Sequence, residues 1–159
     1  MRQAGQSEKE LGSRERREID ALMEMLKIVS FLHKPMQQCI SDRYQLSENE
    51  LRVLFSLAGE GVLAGQEISS LIGMPPMNVS RALGELERNG LVERASNKTN
   101  RRRKPFRLSK AGSAIFDRMQ GDLSQVCSLM FKGLKAADTK ALLGQLATVR
   151  ENLEAYVRE

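Results

Sequence analysis

With 159 residues, 41% of them hydrophobic and 28% charged, the chain has the size of one domain and an ordinary globular composition. No apolar run approaches the roughly 20 residues a membrane-spanning helix needs, and residues 1–17 lack the apolar core and cleavage site of a signal peptide, so a flexible N-terminal arm, a cytoplasmic location and no membrane partner are expected. The net charge of +5 favours an anionic partner, while Cys39 and Cys127 stand far apart and outside any metal-ligand spacing, which argues against a disulfide scaffold and against zinc.

Ile19, Leu22, Leu26, Val29, Met36 and Ile40 recur at steps of three, four or seven, the seam of a long amphipathic helix. Pro35 falls inside it and predicts a kink or brief break, because proline removes a backbone donor and crowds the preceding turn. Ser47 to Glu50 form a Ser-x-x-Glu capping box between Leu46 and Leu51, which starts a second helix that buries Leu51, Leu54, Phe55 and Ala58 and stops at Gly59 and Gly61. After a short extended piece over Val62 to Ala64, Ile68, Leu71 and Ile72 mark a third helix ending at Gly73.

Pro75 and Pro76 then suit the first turn of a fourth helix, which buries Val79, Ala82, Leu83 and Leu86 and leaves Asn78, Arg81, Glu85 and Arg88 facing outward, until Asn89 and Gly90 end it. Leu91 to Ala95 and Phe106 to Leu108 read as the two strands of a hairpin with a charged tip. Ser109 caps a fifth helix containing Ile115, Phe116, Met119, Leu123, Val126, Met130 and Leu134, with Gly121 as a weak point, and the chain turns after Gly133. Leu142, Leu146, Val149 and Leu153 give the last helix a coiled-coil-like stripe. The class is mainly α: a helix-turn-helix with a small hairpin wing, divided into an arm (1–17), a dimerisation helix (18–45), a winged lobe (46–110) and further dimerisation helices (111–159).

Between Arg94 and Lys110 stand eight basic residues, Arg94, Lys98, Arg101, Arg102, Arg103, Lys104, Arg107 and Lys110, and no acid. Directly after a helix-turn-helix, such a strip lets helix and hairpin contact one duplex in adjacent grooves, whereas on its own it would read as a solvated surface. On chemistry alone, Arg81 can bond guanine bidentately, Asn78 can do so with adenine, and Met77 offers an apolar contact to a thymine methyl. The competing reading of Arg81 is an exposed ion pair with Glu85, four residues on. Gln66 and Ser69, at the front of the third helix, are candidate phosphate contacts.

Leu86-Glu87-x-x-Gly90-Leu91-Val92-x-Arg94, Asn100-Arg101-Arg102 and Leu108-Ser109-x-x-Gly112 together resemble the MarR (multiple antibiotic resistance regulator) family of winged helix-turn-helix transcription regulators. The resemblance implies a homodimer built from the first and last two helices, which binds double-stranded, pseudo-palindromic DNA, usually as a repressor released by a small phenolic or other ligand. It implies major-groove contacts from Pro76, Met77, Asn78, Ser80 and Arg81, and minor-groove contact from Arg102 first and Arg101 second, with Lys98, Asn100 and Arg103 beside them at the wing tip. Where the family commonly carries aspartate this chain has Asn100, which accepts a hydrogen bond but forms no ion pair, so Arg102 is held less firmly. An effector pocket between the dimer helices and the winged lobe would draw on His33, Met36, Arg43, Phe55 and Met119.

Dimerisation is also expected on physical grounds, because the first, fifth and sixth helices carry more apolar residues than a small winged domain covers. A winged-helix module for protein association and a cysteine-based redox sensor are the alternative readings, the second weakened because both cysteines read as buried small hydrophobes. One histidine, scattered cysteines, no phosphate-cradling glycine loop and no paired carboxylates give no recognisable catalytic set, metal site or cofactor site, so no enzyme activity is expected.

Overall fold

The computed structural model describes residues 12–95 and 104–158. Helix α1 (Ser13–Met36) opens where the Glu15 carboxylate accepts the Gly12 amide at 2.9 Å. The helix therefore reaches back into the segment expected to be a flexible arm, and Ser13 to Arg17 are helical because a local cap closes the first turn. Pro35 lies inside α1, and the chain passes directly into a π-helical turn, Gln37–Ser41, before the short α2 (Asp42–Tyr44). The disturbance expected at Pro35 thus takes the form of a widened turn just beyond it, and the helical path is not broken. Gln45, at φ 55, ends that path in the left-handed region.

The lobe that follows consists of α3 (Glu48–Glu60), β1 (Leu63–Ala64), α4 (Gly65–Ile72), α5 (Pro76–Arg88), β2 (Val92–Arg94), β3 (Pro105–Leu108) and the start of α6 (Lys110–Met130). Its helix boundaries come from local chemistry. Ser47 accepts the Glu50 amide while the Glu50 carboxylate accepts the Ser47 amide at 2.8 Å, and the flanking Leu46 and Leu51 are buried. Gly73, at φ 61, ends α4 in the left-handed region, and Pro76 begins α5 at its first position.

Helix α3 packs on α4, α5, α6 and β3, so the core gathers around Leu54, Leu57, Ile68, Val79, Leu86 and Met119, all fully or almost fully buried. The sheet has three antiparallel strands in the order β1-β3-β2, with Leu63 opposite Phe106 and Val92 opposite Leu108. The hairpin is therefore anchored on its far side by the extended piece over Leu63 and Ala64, whose pairing with β3 closes the sheet beside α4.

Outside this core the character changes. Helix α1 buries no residue, and its apolar seam is open, with Leu22 and Leu26 each 54% exposed and Val29 67%. On α7 (Ala136–Arg158), Leu143, Leu146, Leu153 and Tyr156 are likewise exposed. Between α7 and the lobe lies an open cleft of about 880 Å³, walled by Phe55, Leu71 and Ile72 on one side and Leu146, Val149, Leu153 and Val157 on the other. No described helix is long and apolar enough to cross a membrane.

Candidate nucleic-acid interface

Helix α5 presents its N-terminal turns to solvent. Pro76, Ser80 and Arg81 are exposed, Met77 is 74% exposed and Asn78 half-buried, while Val79, Ala82, Leu83 and Leu86 anchor the opposite face. The structure thereby brings all five expected major-groove residues onto the outer surface of one helix. Glu85, half-buried, pairs with Arg88 and not with Arg81. Among the described residues Arg81 has no ion-pair partner, which leaves the guanidinium available to an external acceptor.

Gln66 and Ser69 part company. Gln66 is exposed in the first turn of α4, next to Glu67, whose carboxylate accepts the Ala64 amide at 2.7 Å. Ser69 is in the second turn and half-buried, and its hydroxyl donates to the Met74 carbonyl at 2.6 Å, bracing the turn between α4 and α5. The front of α4 lies at Gly65, earlier than the apolar residues alone imply, and so Ser69 falls inside the helix.

The basic strip divides in three. Arg94 pairs with Glu87 at 3.0 Å and lies with its guanidinium carbon 4.8 Å from the Phe106 ring centroid, the residue opposite it across the sheet. Arg107 pairs at 2.7 Å with Glu93, its cross-strand neighbour. These two guanidinium groups are neutralised by acids just outside the strip and brace the wing's base. Lys104 and Lys110 are exposed, and Lys98, Asn100, Arg101, Arg102 and Arg103 lie outside the described residues.

Below the wing, β2, β3 and α6 meet at one knot. The Ser109 hydroxyl accepts the Gly112 amide at 3.0 Å and donates to the Gly90 carbonyl at 2.6 Å, while the Ser109 amide donates to Leu91 at 3.0 Å. Gly90 takes φ 70, a conformation that side chains resist.

The five expected pocket residues do not share one lining. Phe55 lines the cleft beside α7 and meets Phe116 edge-on at 5.9 Å. Met119 is completely buried in the core, and Met36 packs against that core from outside. His33 is exposed on α1. Arg43 donates to Asp122 at 2.7 Å, and the Tyr44 hydroxyl donates to the other carboxylate oxygen at 2.7 Å. The bond to Asp122, assisted by burial, raises the Tyr44 pKa above its ordinary value. Asp122 and Arg52, whose guanidinium donates to the Ile72 carbonyl at 2.7 Å on the rim of the cleft, were not legible as site residues because their partners are distant in sequence. The cysteines also depart from expectation: Cys39 is half-buried against the core, but Cys127 is exposed on α6, on the part of that helix beyond the lobe.

A short helix pair whose second member presents an exposed arginine, followed by a sheet-anchored basic hairpin, defines a winged helix-turn-helix domain. The sequence model of the MarR family matches residues 46–104, which cover the helix pair and the hairpin as far as Lys104. Through this domain the chain is similar to the MarR family of DNA-binding transcription regulators. The sequence is 27% identical over 101 residues to an uncharacterized HTH-type transcriptional regulator of Bacillus subtilis, YwhA, covering 64% of this chain and 70% of that protein. In fold it is similar to a MarR-family regulator from Silicibacter pomeroyi, with a TM-score of 0.72 at 24% identity over 83% of this chain and 88% of that one. It is similar in the same way to Bordetella bronchiseptica BpsR, a protein whose DNA binding is regulated by 6-hydroxynicotinic acid, with a TM-score of 0.69 at 20% identity over 80% and 91% of the two chains.

Proposed function

We propose that the chain acts in the cytoplasm as a homodimeric repressor, without catalytic activity or a cofactor, that binds a pseudo-palindromic operator and is released by a small organic effector. The observation that carries this reading is Arg81, without an ion-pair partner among the described residues, on the exposed face of α5 beside Met77, Asn78 and Ser80. In the bound state Arg81 reads a base edge in the major groove, Asn78 and Met77 read its neighbours, and Gln66 holds phosphate. The wing tip, with Lys98, Asn100, Arg101, Arg102 and Arg103, enters the adjacent minor groove. Ser69 supports this surface by holding the turn and does not touch phosphate.

Dimerisation follows from the open apolar faces of α1, α6 and α7, which a two-fold partner covers. A symmetric pair then presents two copies of α5 to successive major grooves, about 34 Å apart. The effector site best supported is the cleft between α7 and the lobe, with an apolar wall containing Phe55 and the Arg52 guanidinium at its rim, a combination suited to an amphipathic organic acid. Because α4 forms part of the wall, a ligand that fits one separation of α7 from α4 shifts the DNA-binding geometry.

Selection of bound duplexes from a random pool tests this reading. Recovery of a two-fold symmetric sequence with half-sites about one helical turn apart is the expected result. Recovery of nothing above background at low ionic strength would overturn it in favour of a protein-association module.

A further inference from the structure

Asp122 is 8% exposed and lies on the face of α6 that also carries Met119 and Val126, 0% and 4% exposed. Just past Val126 the helix leaves the lobe, with Leu129 66% exposed. On the other side, Ile40 and Ser41 are the last buried residues met going back along the first helix, since α1 buries none. The Arg43–Asp122–Tyr44 cluster therefore sits where both helices emerge from the core, joined by two 2.7 Å bonds from residues 78 and 79 positions away in sequence. The π-helical turn Gln37–Ser41 ends two residues before Arg43, so the backbone on the first-helix side is already displaced from regular α geometry.

At its other end, α6 is fixed to the wing. Ser109 bonds Gly90 and Leu91, and Gly112 lies against the Leu91 carbonyl. A continuous helix thus runs from the wing's base to the cluster and on to an exposed apolar stretch at Leu129 and Met130. The side chain of Arg43 is 64% exposed and fills no core volume, so its role is not explained by packing.

We propose that Asp122, by gripping Arg43 and Tyr44, is a positioning residue that fixes the angle at which the dimer helices leave the lobe, and hence the half-site spacing the dimer accepts. The inference rests on the dimeric DNA-binding reading above. One inserted base pair moves half-sites apart by about 3.4 Å, a displacement that a clamped dimer resists and an unclamped one follows.

The test runs duplex selection and binding on the full chain, comparing wild type with Arg43→Gln, Asp122→Asn and Arg43→Lys, using the selected palindrome and versions lengthened or shortened by one base pair. The wild type should discriminate against the altered spacings by at least about fivefold, within the range of ordinary coupling between sites. Arg43→Gln and Asp122→Asn should flatten that discrimination, and Arg43→Lys should restore it. A residue that only stabilises the fold would lower the unfolding midpoint and leave the spacing preference intact. Arg43→Gln carries the test if Asp122→Asn does not fold, because Arg43 is exposed. Folded Arg43→Gln with the wild type's spacing discrimination would overturn the inference. A wild type that selects no palindrome at all would sink the DNA-binding reading, and the inference with it.

Discussion

The carbonyl oxygen of Leu91 lies 1.9 Å from the point where a Cβ on Gly112 would stand. The atom in the way is backbone, held by the Ser109 amide, and cannot rotate aside. This contact joins the residue before β2 to the first turn of α6, and with it the wing to the helix that carries Asp122.

Gly112→Ala should therefore destabilise the protein by about 3 kcal/mol, the upper part of the overpacking range, because strand or helix must shift. Gly84 in the interior of α5 meets nothing within 4 Å, and Gly84→Ala should raise stability by about 0.5–1 kcal/mol through helix propensity alone. Urea unfolding of both variants gives opposite displacements of the midpoint if the packing is as described.

Arg81→Ala should cost about 1–3 kcal/mol of discrimination at one base pair of the selected operator, with the unfolding midpoint unchanged, because Arg81 is exposed and has no ion pair to lose among the described residues. Arg102→Ala should instead weaken binding to every duplex and reduce the slope of log K against log salt by about 0.9 per lost phosphate contact. Fluorescence anisotropy on single-base-substituted operators at several salt concentrations separates the two effects. Equal losses on all sequences from Arg81→Ala would remove it from base reading.

Leu143→Glu combined with Tyr156→Glu places charge on exposed residues of α7 that neither line the cleft nor belong to the lobe's core. Sedimentation should show a single chain where the wild type pairs. The wild type's melting temperature should rise with protein concentration and the variant's should not. DNA affinity should fall sharply in the variant, since one lobe engages one half-site alone. A paired double variant would place the dimer surface elsewhere.

Tyr44 donates to Asp122 as the neutral phenol, and that bond raises its pKa in the folded chain. The folded state therefore holds the Tyr44 proton more tightly than the unfolded chain does, and the stabilisation is complete below the unfolded pKa of about 10. It is lost as pH rises through the higher folded value. Wild type and Tyr44→Phe should differ by a constant amount below about pH 10 and converge above it, measured as unfolding midpoints across the alkaline range. A constant difference throughout would mean that the hydroxyl does not bond Asp122.

Local interactions were legible in the amino-acid order. The Ser47–Glu50 box, the Gly73 stop with Pro76 at the next helix start, and the Ser109 cap each act within about four residues, and each appears where the residue types require it. The outward face of α5 followed from its 3.6-residue period, and the Gly90, Leu91, Ser109 and Gly112 pattern marked the wing's base. What depends on distant partners was decided only by the tertiary structure. The β1–β3 pairing, the engagement of Arg94 by Glu87, the exposure of Cys127 and the Arg43–Asp122–Tyr44 cluster arise between segments that meet only once the core has closed. A side chain's chemical type fixes what it is able to bond, whereas its actual partner depends on which of many chain-distant groups the packing brings within about 3 Å.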